Sequence, residues 1–284
     1  MEKDEQASES VATAFRTGCP RCGHASVIRW GRFSGRQRYR CRACRGTFST
    51  FTGTPLHYLK RIDRWESFRA AMERSLAIRP TAILLGIDKD TVFRWRHRIL
   101  VAFESPDRPP LRQDVFVDCP AFRFCGKGQS GTISSAGTFE IPTPGNADPA
   151  QVGRIWVILA RDTFGCARPT LVGPQRPRLA DYVAALENRL TRSAVLVGDR
   201  GIFSPLARCA RELKLPYRPA AARLVDGTNL RYVPRVRRWL LRFRGVGRRY
   251  FTRYLLWFHA MEPESRKRHR PVRWTAEDVI RRQC

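Results

Sequence analysis

Four cysteines in the N-terminal part of the chain have the type and spacing needed to bind a metal ion. They form two Cys-x2-Cys pairs, Cys19 with Cys22 and Cys41 with Cys44, separated by 18 residues. Each pair can occupy a tight turn and present two thiolates, and two facing pairs complete a tetrahedral Zn²⁺ site. A closed four-sulfur site is structural rather than catalytic. We therefore predict one structural Zn²⁺. The alternative, a pair of disulfides, is disfavoured because nothing else in the chain resembles a secreted protein.

Two aspartates, Asp118 and Asp199, supply a second candidate chemistry. Each stands at the C-terminal end of a predicted strand, within DVFVDC or SAVLVGD. The ends of such strands open onto the crevice in which α/β sheets bind ligands, and converging carboxylates can hold Mg²⁺. A pair of these ions activates water and stabilises the leaving oxygen in phosphodiester cleavage. The alternative is that these aspartates are ordinary turn residues. We assign that role to Asp162, which precedes the turn sequence TFG.

The residues between the cysteine pairs must position the first site, and they predict a zinc ribbon. VIRWGRFSGRQRYRC alternates apolar and basic residues around Gly31 and Gly35, which indicates short strands joined by a turn. The ribbon lacks acidic residues, and its arginines include Arg29, Arg32, Arg36, Arg38, Arg40, Arg42 and Arg45. We expect this surface, through Arg36, Arg38 and Arg40, to contact nucleic acid.

A small helical domain is predicted next. Asp63 is a candidate N-cap for the helix WESFRAAMERSL, with Glu66 completing a capping box. Pro80 is expected to open a second short helix, and Gly86 to provide the turn after it. Asp88 or Asp90 can then cap a third helix through TVFRWRHRILVAF.

The third helix is predicted to be two-sided. Val92, Trp95 and Ile99 fall on one face, and Thr91, Arg94 and Arg98 fall on the opposite face. A helix, a glycine turn and a basic helix are typical of a helix-turn-helix that reads DNA. The alternative is an ordinary three-helix domain with a solvated basic face.

The remaining sequence indicates an α/β domain after a proline-rich linker, ESPDRPPLRQ. Predicted strands DVFVDC, RIWVILARD and ARPTLVG precede the helix LADYVAALENRL, the strand SAVLVGD, the helix IFSPLARCARELKL and a further strand, YRPAAA. This order indicates a mixed sheet. Two aromatic helices follow within residues 227–261, which contain nine arginines and no acid.

Composition bounds the partner. The chain has 284 residues and a formal charge of +28, which implies a polyanion such as DNA. A membrane surface is disfavoured because no run of about 18 apolar residues and no secretory signal occurs. Five cysteines remain outside the candidate zinc site and lack paired spacing, as expected of free thiols in a reducing compartment. We therefore expect a cytoplasmic protein with no membrane partner.

Together these motifs resemble a known family. The residues that carry the resemblance are CPRCG, QRYRCRACRGTFS, TGTP, LLGIDKDTVFRWRHRIL, VFVD, LVGDRG and RRWLLRFRGVGRRYFTRYLLWF. Over residues 17–260 the chain resembles insertion-sequence transposases that have a zinc ribbon, a helix-turn-helix and a DDE-type catalytic domain with an RNase H-like fold. The resemblance implies a multidomain chain with a disordered tail over 1–16, a zinc ribbon over 17–54, a helix-turn-helix domain over 55–104, a linker over 105–114, an RNase H-like α/β mixed-sheet catalytic domain over 115–262 and a basic tail over 263–284.

The same resemblance implies the chemistry. Asp118 matches the first catalytic aspartate, Asp199 the second, and Arg237 the place of a conserved lysine, while Asn229 or Asp226 is nearest to the third position. Mg²⁺ or Mn²⁺ would serve catalysis, and a homo-oligomer would act on double-stranded DNA of the element ends and target. The resemblance also implies a bacterial protein associated with the nucleoid.

Departures from the family keep other functions open. Cys119 and Pro120 follow Asp118 where the family has Glu and an aromatic residue. The second hypothesis is therefore a catalytically degenerate, transposase-derived DNA-binding protein. A third, a zinc-ribbon transcription factor, leaves the RFRGV region unexplained.

Overall fold

A computed structural model describes most of the chain. The described residues are 18–33, 35–49, 51–53, 56–57, 59–104, 108–123, 132–133, 139–140, 154–198, 203–220, 232–243 and 245–262. They fall into two compact units, with the boundary between Ser105 and Pro106. Asp199, Asp226, Asn229 and the two predicted tails lie outside the described residues. No helix within the described ranges is long and apolar enough to cross a bilayer.

The first unit begins with a small antiparallel sheet. Its strands, in sheet order, are β1 (Val27–Phe33), β2 (Arg36–Cys41) and β3 (Thr47–Ser49). Cys19, Cys41 and Phe48 form its buried centre. The pairing of β1 with β2 shifts by a bulge between Arg29 and Arg32. The strands predicted from apolar–basic alternation are therefore confirmed.

In the described part of the first unit, three helices follow the sheet: α1 (Trp65–Glu73), α2 (Ile78–Leu85) and α3 (Lys89–Leu100), with 3-10 turns at Ile62–Arg64 and Val101–Glu104. The capping box was wrong, because Asp63 lies inside the first 3-10 turn, pairs with Arg61 and Arg64, and leaves Arg64 at the N-cap. Pro80 is the third residue of α2 rather than its first. This position tolerates proline because the first amide groups of a helix have no partner inside it.

The turn between α2 and α3 follows the prediction. Gly86 closes α2 in the left-handed conformation, with φ of 63°. The Asp88 side chain caps α3 by accepting from the Asp90 amide at 2.7 Å. Val92, Trp95 and Ile99 are buried, as expected for the inner face of α3.

The second unit is built on a six-stranded mixed sheet. Its strands are β4 (Asp114–Asp118), β5 (Ala121–Arg123), β8 (Arg154–Asp162), β9 (Ala167–Gly173), β10 (Val195–Gly198) and β11 (Tyr217–Pro219); β6 (Thr132–Ile133) and β7 (Phe139–Glu140) pair separately. β8 is antiparallel to both β4 and β9, whereas β10 is parallel to β4 and to β11. The predicted mixed sheet is thus confirmed.

The helices of this unit are α4 (Leu179–Leu186), α5 (Pro205–Glu212), α6 (Tyr232–Leu240) and α7 (Arg248–Met261), with 3-10 turns at Glu187–Arg189 and Leu241–Phe243. The first two helices join Val115, Val117 and Leu196 of the sheet in one apolar cluster. The last two pack through an aromatic cluster in which the Trp239 and Trp257 ring centroids lie 5.0 Å apart. Buried aromatic side chains of this kind contribute a large apolar area to the packing of α6 on α7.

The segment after Asp118 continues the sheet. Asp118 pairs with Leu159 and Ala121 with Trp156, so β4 and β5 share one register along β8. The Val157 amide still donates to the Pro120 carbonyl at 3.0 Å. Proline has no amide hydrogen to return, which explains the break between the two strands. Asp118 therefore stands within a longer ladder and not at a free strand end.

The predicted linker is only partly a linker. Leu111 is fully buried, and its amide donates to the Arg189 carbonyl at 2.7 Å. The Arg168 guanidinium donates to the carbonyls of Arg108 and Pro109. The apolar side chain and these backbone bonds hold residues 108–113 against the second unit.

Candidate metal centres and nucleic-acid interface

The four cysteines converge on one point in the first unit. Their Sγ atoms all lie within 4.8 Å of one another. Cys19 and Cys44 are 3.7 Å apart through sulfur, as are Cys22 and Cys41. A tetrahedron of sulfurs about Zn²⁺ has edges of roughly 3.8 Å, whereas a disulfide bond measures about 2.05 Å. All four thiols are free, so the geometry fits zinc and excludes the disulfide alternative.

Both cysteine turns use the same local construction. The Cys19 amide donates to the His24 carbonyl at 2.9 Å, and the Cys41 amide donates to the Gly46 carbonyl at 3.0 Å. Gly23 and Arg45, each directly after the second cysteine of its pair, adopt positive φ angles of 73° and 57°. Each turn thereby aims two sulfurs at the partner turn.

Backbone amides favour the thiolate form that a metal needs. The Arg21 amide donates to the Cys19 sulfur at 3.4 Å. Burial acts to raise the pKa of Cys19, but hydrogen bonds from the amides of Arg21 and Cys22, together with the neighbouring thiols, outweigh it and lower the pKa to about 7. At Cys22 the His24 amide acts to lower the pKa, but burial and the neighbouring thiols outweigh it and raise the pKa to about 11. Among the residues described, this is the one group of three or more candidate ligands close enough to share an ion.

The predicted DNA-contacting arginines of the ribbon lie on β2. The Arg38 guanidinium donates to the Thr47 hydroxyl at 3.2 Å. The Arg40 guanidinium stacks over the Trp30 ring at 4.6 Å from its centroid. The side chain of Arg36 lies outside the described residues.

The three predicted contacts on α3 share one side of that helix. Arg94 is exposed and donates to the Thr91 hydroxyl at 3.4 Å. Arg98 is half-buried, and burial lowers its pKa. Of these three side chains, Arg94 is therefore the most accessible to a phosphate.

An arginine that the sequence interpretation left unassigned holds this helix in place. Arg96 is fully buried and donates to the Leu76 carbonyl at 2.6 Å. The same guanidinium reaches the Thr81 hydroxyl at 3.4 Å. A charge inserted between apolar positions of a helix indicates such a buried contact, but the sequence does not identify its partner.

In the second unit the first predicted catalytic aspartate is held by an arginine. The Arg161 guanidinium donates to Asp118 Oδ2 at 2.8 Å; the Arg161 side chain is 6% exposed and that of Asp118 is 40% exposed. Arg161 also lies over the Tyr232 ring, 3.7 Å from its centroid. The arrangement orients the carboxylate and leaves it open to solvent on one side.

The helices α6 and α7 supply the side chains that hold Arg161 in place. Burial raises the pKa of Tyr232, which therefore stays a neutral phenol. Its hydroxyl lies 3.4 Å from His259 Nδ1, and His259 Nε2 lies 2.8 Å from the Gly165 carbonyl. Because a carbonyl only accepts, the imidazole proton is on Nε2. Neither Arg161 nor Tyr232 was singled out from the sequence, although an arginine inside an otherwise apolar strand was a visible signal.

The second predicted catalytic aspartate follows directly after β10. That strand ends at Gly198 and pairs in parallel with β4, with Val197 opposite Phe116. A Cβ at Gly198 would lie 3.1 Å from the Val117 carbonyl oxygen. The chain therefore passes close beside β4 one residue before Asp199, which itself lies outside the described residues, as do Asn229 and Asp226.

Arg237 projects from α6 towards the strand that follows Asp118. Its guanidinium donates to the Ala121 carbonyl at 3.2 Å. It also lies 5.9 Å from the Phe122 ring centroid. The side chain is exposed, so it can offer charge to a phosphate near this part of the sheet.

Asp162 performs the structural role predicted for it. Its Oδ1 accepts from the Phe164 amide at 3.0 Å and the Cys166 amide at 2.8 Å. These bonds close the turn between β8 and β9. The aspartate is buried and committed to the backbone.

Comparison with known proteins finds similarity to mobile-element proteins over part of the chain. A 104-residue segment is 35% identical to an uncharacterized protein in the transposable element ISH50 of Halobacterium salinarum, covering 35% of this chain and 34% of that protein. The chain thus spans about a third of the length of that curated relative. The sequence resemblance to insertion-element proteins is confirmed by this relative. No family model matches the chain.

Solved structures give weaker similarities. The Mos1 transposase paired-end complex with left transposon end has a TM-score of 0.37 and 12% identity, covering 76% of each chain. The Mos1 strand transfer complex has a TM-score of 0.37 and 16% identity, covering 75% of this chain and 77% of that chain. Scores of this size do not establish a common fold.

Proposed function

We propose that the chain is a DNA transposase that binds the ends of an insertion sequence and carries out metal-dependent DNA strand cleavage and transfer. One observation carries the proposal: β4, which ends at Asp118, pairs in parallel with β10, and the residue that follows β10 in the sequence is Asp199. The relative found in a transposable element is consistent with this function. An RNase H-like catalytic domain is supported by the sheet, in which the antiparallel strands β4, β5, β8 and β9 are followed in the chain by two parallel strands, β10 and β11, joined through helices.

The two aspartates are proposed to share one site. Val197 pairs with Phe116, and two residues further along each parallel strand are Asp199 and Asp118. In a parallel pair, residues related in this way have side chains on the same face of the sheet. The third ligand is proposed to be Asn229, with Asp226 as the alternative.

The chain's own residues would orient the reaction. Arg161 fixes Asp118 through Oδ2 and leaves the solvent side of the carboxylate for a ligand. Arg237, which lies against the Ala121 carbonyl, would hold a DNA phosphate beside the site. A carboxylate and amide donor set suits Mg²⁺ or Mn²⁺, and such an ion would activate water and stabilise the leaving oxygen.

Recognition is assigned to the first unit. The zinc-bound ribbon would present Arg36, Arg38 and Arg40, and the exposed side of α3 would present Thr91, Arg94 and Arg98. Phosphate contacts of this kind make affinity fall steeply with salt. The proposed partner is double-stranded DNA of the element ends and target, bound by a homo-oligomer in the cytoplasm.

A second function, DNA binding without catalysis, is favoured by one feature. The ion pair between Arg161 and Asp118 places a cation where a metal ion would need negative charge. Cys119 and Pro120 also provide no carboxylate beside it. A catalytically degenerate transposase would keep the ribbon and helices and lose strand cleavage.

Cleavage of DNA carrying the element ends, with Mg²⁺ or Mn²⁺, separates the two functions. Asp118→Asn should lower cleavage by more than about a hundredfold and leave end binding nearly unchanged. Asp114→Asn is the matched control, because Asp114 lies on the same strand and pairs with Arg218 at the surface. No cleavage by the parent chain, with end binding intact, would establish the binding-only function. Cleavage retained in Asp118→Asn would show that another residue is the first ligand.

A further inference from the structure

Two large aromatic side chains of the ribbon are exposed beside half-buried arginines. Trp30 is 45% exposed and Phe33 is 69% exposed. Arg40 lies over the Trp30 ring at 4.6 Å, and Arg38 lies 6.0 Å from the Phe33 ring centroid. These contacts place the aromatic rings of β1 beside the arginines of β2.

All four side chains lie on the outer face of the ribbon. Arg38 and Arg40 are two residues apart on one strand and so share a face. Tyr39, between them, points the other way and stacks on Phe48 at 5.8 Å, in the centre that contains Cys19 and Cys41. The arginine face is therefore the one turned away from the ribbon's own core.

The bulge in β1 is what gathers the two aromatic residues on that face. Residues three apart in a regular strand point to opposite faces, which would separate Trp30 from Phe33. The register shift between Arg29 and Arg32, with Gly31 at φ of 67°, adds one residue and restores them to the same side. Bulges in β-sheets commonly redirect a side chain in this way.

We propose that this face, formed by Trp30, Phe33, Arg38 and Arg40, binds unpaired nucleotides of DNA. The proposal rests on the DNA binding proposed above and extends it: besides the duplex contacts of its arginines, the ribbon takes unpaired nucleotides. Aromatic rings stack on nucleobases whose faces are free, and neighbouring arginines contact the phosphates and the bases. In an intact duplex the base faces are covered by stacking, so the aromatic rings would gain little from it.

Charge argues against the other occupants of an apolar patch. The ribbon sequence has no acidic residue, so a second copy of the same face would oppose arginine to arginine. The patch is divided by the two guanidinium groups and is not continuously apolar. A single strand of DNA supplies both the negative charge that complements the arginines and the flat nucleobase surfaces on which the aromatic rings can stack.

Binding of a labelled oligothymidine of about 20 nucleotides, compared with a duplex of equal length at one fixed salt concentration, tests the proposal on the full zinc-loaded chain. Trp30→Ala with Phe33→Ala should weaken single-strand binding roughly tenfold or more and change duplex binding by less than about threefold. Phe203→Ala is the matched control, since it removes an aromatic side chain that is 80% exposed in the second unit. The conservative single change Trp30→Phe should keep most of the parent chain's single-strand affinity.

Vesicles containing anionic lipid are tested in parallel. Three results for the double variant would overturn the proposal: unchanged single-strand binding, an equal loss of single-strand and duplex binding, or a loss of vesicle binding alone. If the double variant loses zinc, Phe33→Ala alone decides, because its exposed ring contributes little to folding. A parent chain that binds no duplex at all would contradict the proposed function. Duplex binding that is normal in every variant, with single-strand binding unaffected, would sink only the present inference.

Discussion

The two candidate metal centres differ in where their ligands come from. In the ribbon, both halves of the site are short turns that carry their own two ligands, and the four sulfurs already lie within 4.8 Å. In the α/β unit, the described part of the site supplies one carboxylate, and an arginine is bound to it at 2.8 Å. The first centre has the donors and spacing for an ion; the second has a carboxylate whose nearest cation belongs to the protein.

The difference reflects the roles expected of structural and catalytic sites. A structural site must be saturated by the chain, since the metal contributes directly to folding. A catalytic site must keep positions open and have its ligands held from behind. Arg161, which lies against the Tyr232 ring, holds Asp118 in this manner. The proposed second and third ligands come from distant parts of the sequence.

Loss of the ribbon site is the largest effect we expect. Cys19→Ser with Cys22→Ser should remove about one Zn²⁺ per chain and with it a metal-binding free energy of about 10 kcal/mol or more. Metal analysis by mass spectrometry measures it. Cys166→Ser is the control, because that thiol lies outside the cluster, and it should keep its zinc. If the double variant keeps its zinc, these cysteines are not the zinc ligands, and the stated difference between the two centres does not hold.

Breaking the ion pair at the second centre should have the next largest effect. Arg161→Met should lower the free energy of unfolding by about 2–3 kcal/mol, below the range for a fully buried pair because Asp118 remains accessible to water. Calorimetry of the thermal transition checks this. Arg154→Met, at the half-buried start of the same strand, should change stability by less than about 0.5 kcal/mol. Equal effects of the two changes would mean that Arg161 is no special support.

A methyl group beside the second centre should cost less. Gly198→Ala would place a Cβ 2.3 Å from Leu206 Cδ2 and 3.1 Å from the Val117 carbonyl oxygen. The leucine can move, but the backbone can move little, so we expect a loss of about 1–2 kcal/mol in unfolding free energy. Gly173→Ala is the matched control, since nothing lies within 4 Å of its added Cβ. If both alanines are tolerated alike, β10 does not approach β4 as closely as described.

We expect the smallest effect from substitutions of the left-handed residues in the two cysteine turns. Arg45 has a φ of 57°, at the position where the first turn has Gly23. Arg45→Gly should stabilise the zinc-loaded ribbon by about 1 kcal/mol, because glycine relieves the left-handed strain. Gly23→Ala should destabilise it by a similar amount. Chelator competition measures both changes, and effects of the same sign would show that the turns are not equivalent.

Local sequence determined much of the first unit. The cysteine spacing fixed the ligand set, and the apolar–basic alternation indicated β1 and β2. Gly86 and Asp88 marked the end of one helix and the start of the next, because a left-handed C-cap and a side-chain N-cap are each satisfied within a few residues. In the second unit, the order of β4, β8, β9, β10 and β11 and the turn at Asp162 followed from the same kind of short-range pattern, whereas the short strands β5, β6 and β7 were not predicted.

Tertiary structure alone decided which side chains meet. The partners of Arg161 and Arg96 are 43 and 20 residues away in sequence, and no periodicity identifies such pairs. The continuity of β4 with β5 depends on the register of β8, which a strand pattern does not specify. Trp30 and Phe33 share a face only because pairing with β2 places the extra residue at Gly31. Spacing along the chain therefore determined the turns and their ligands, whereas long-range packing determined the environment of each charge and the face that each aromatic ring occupies.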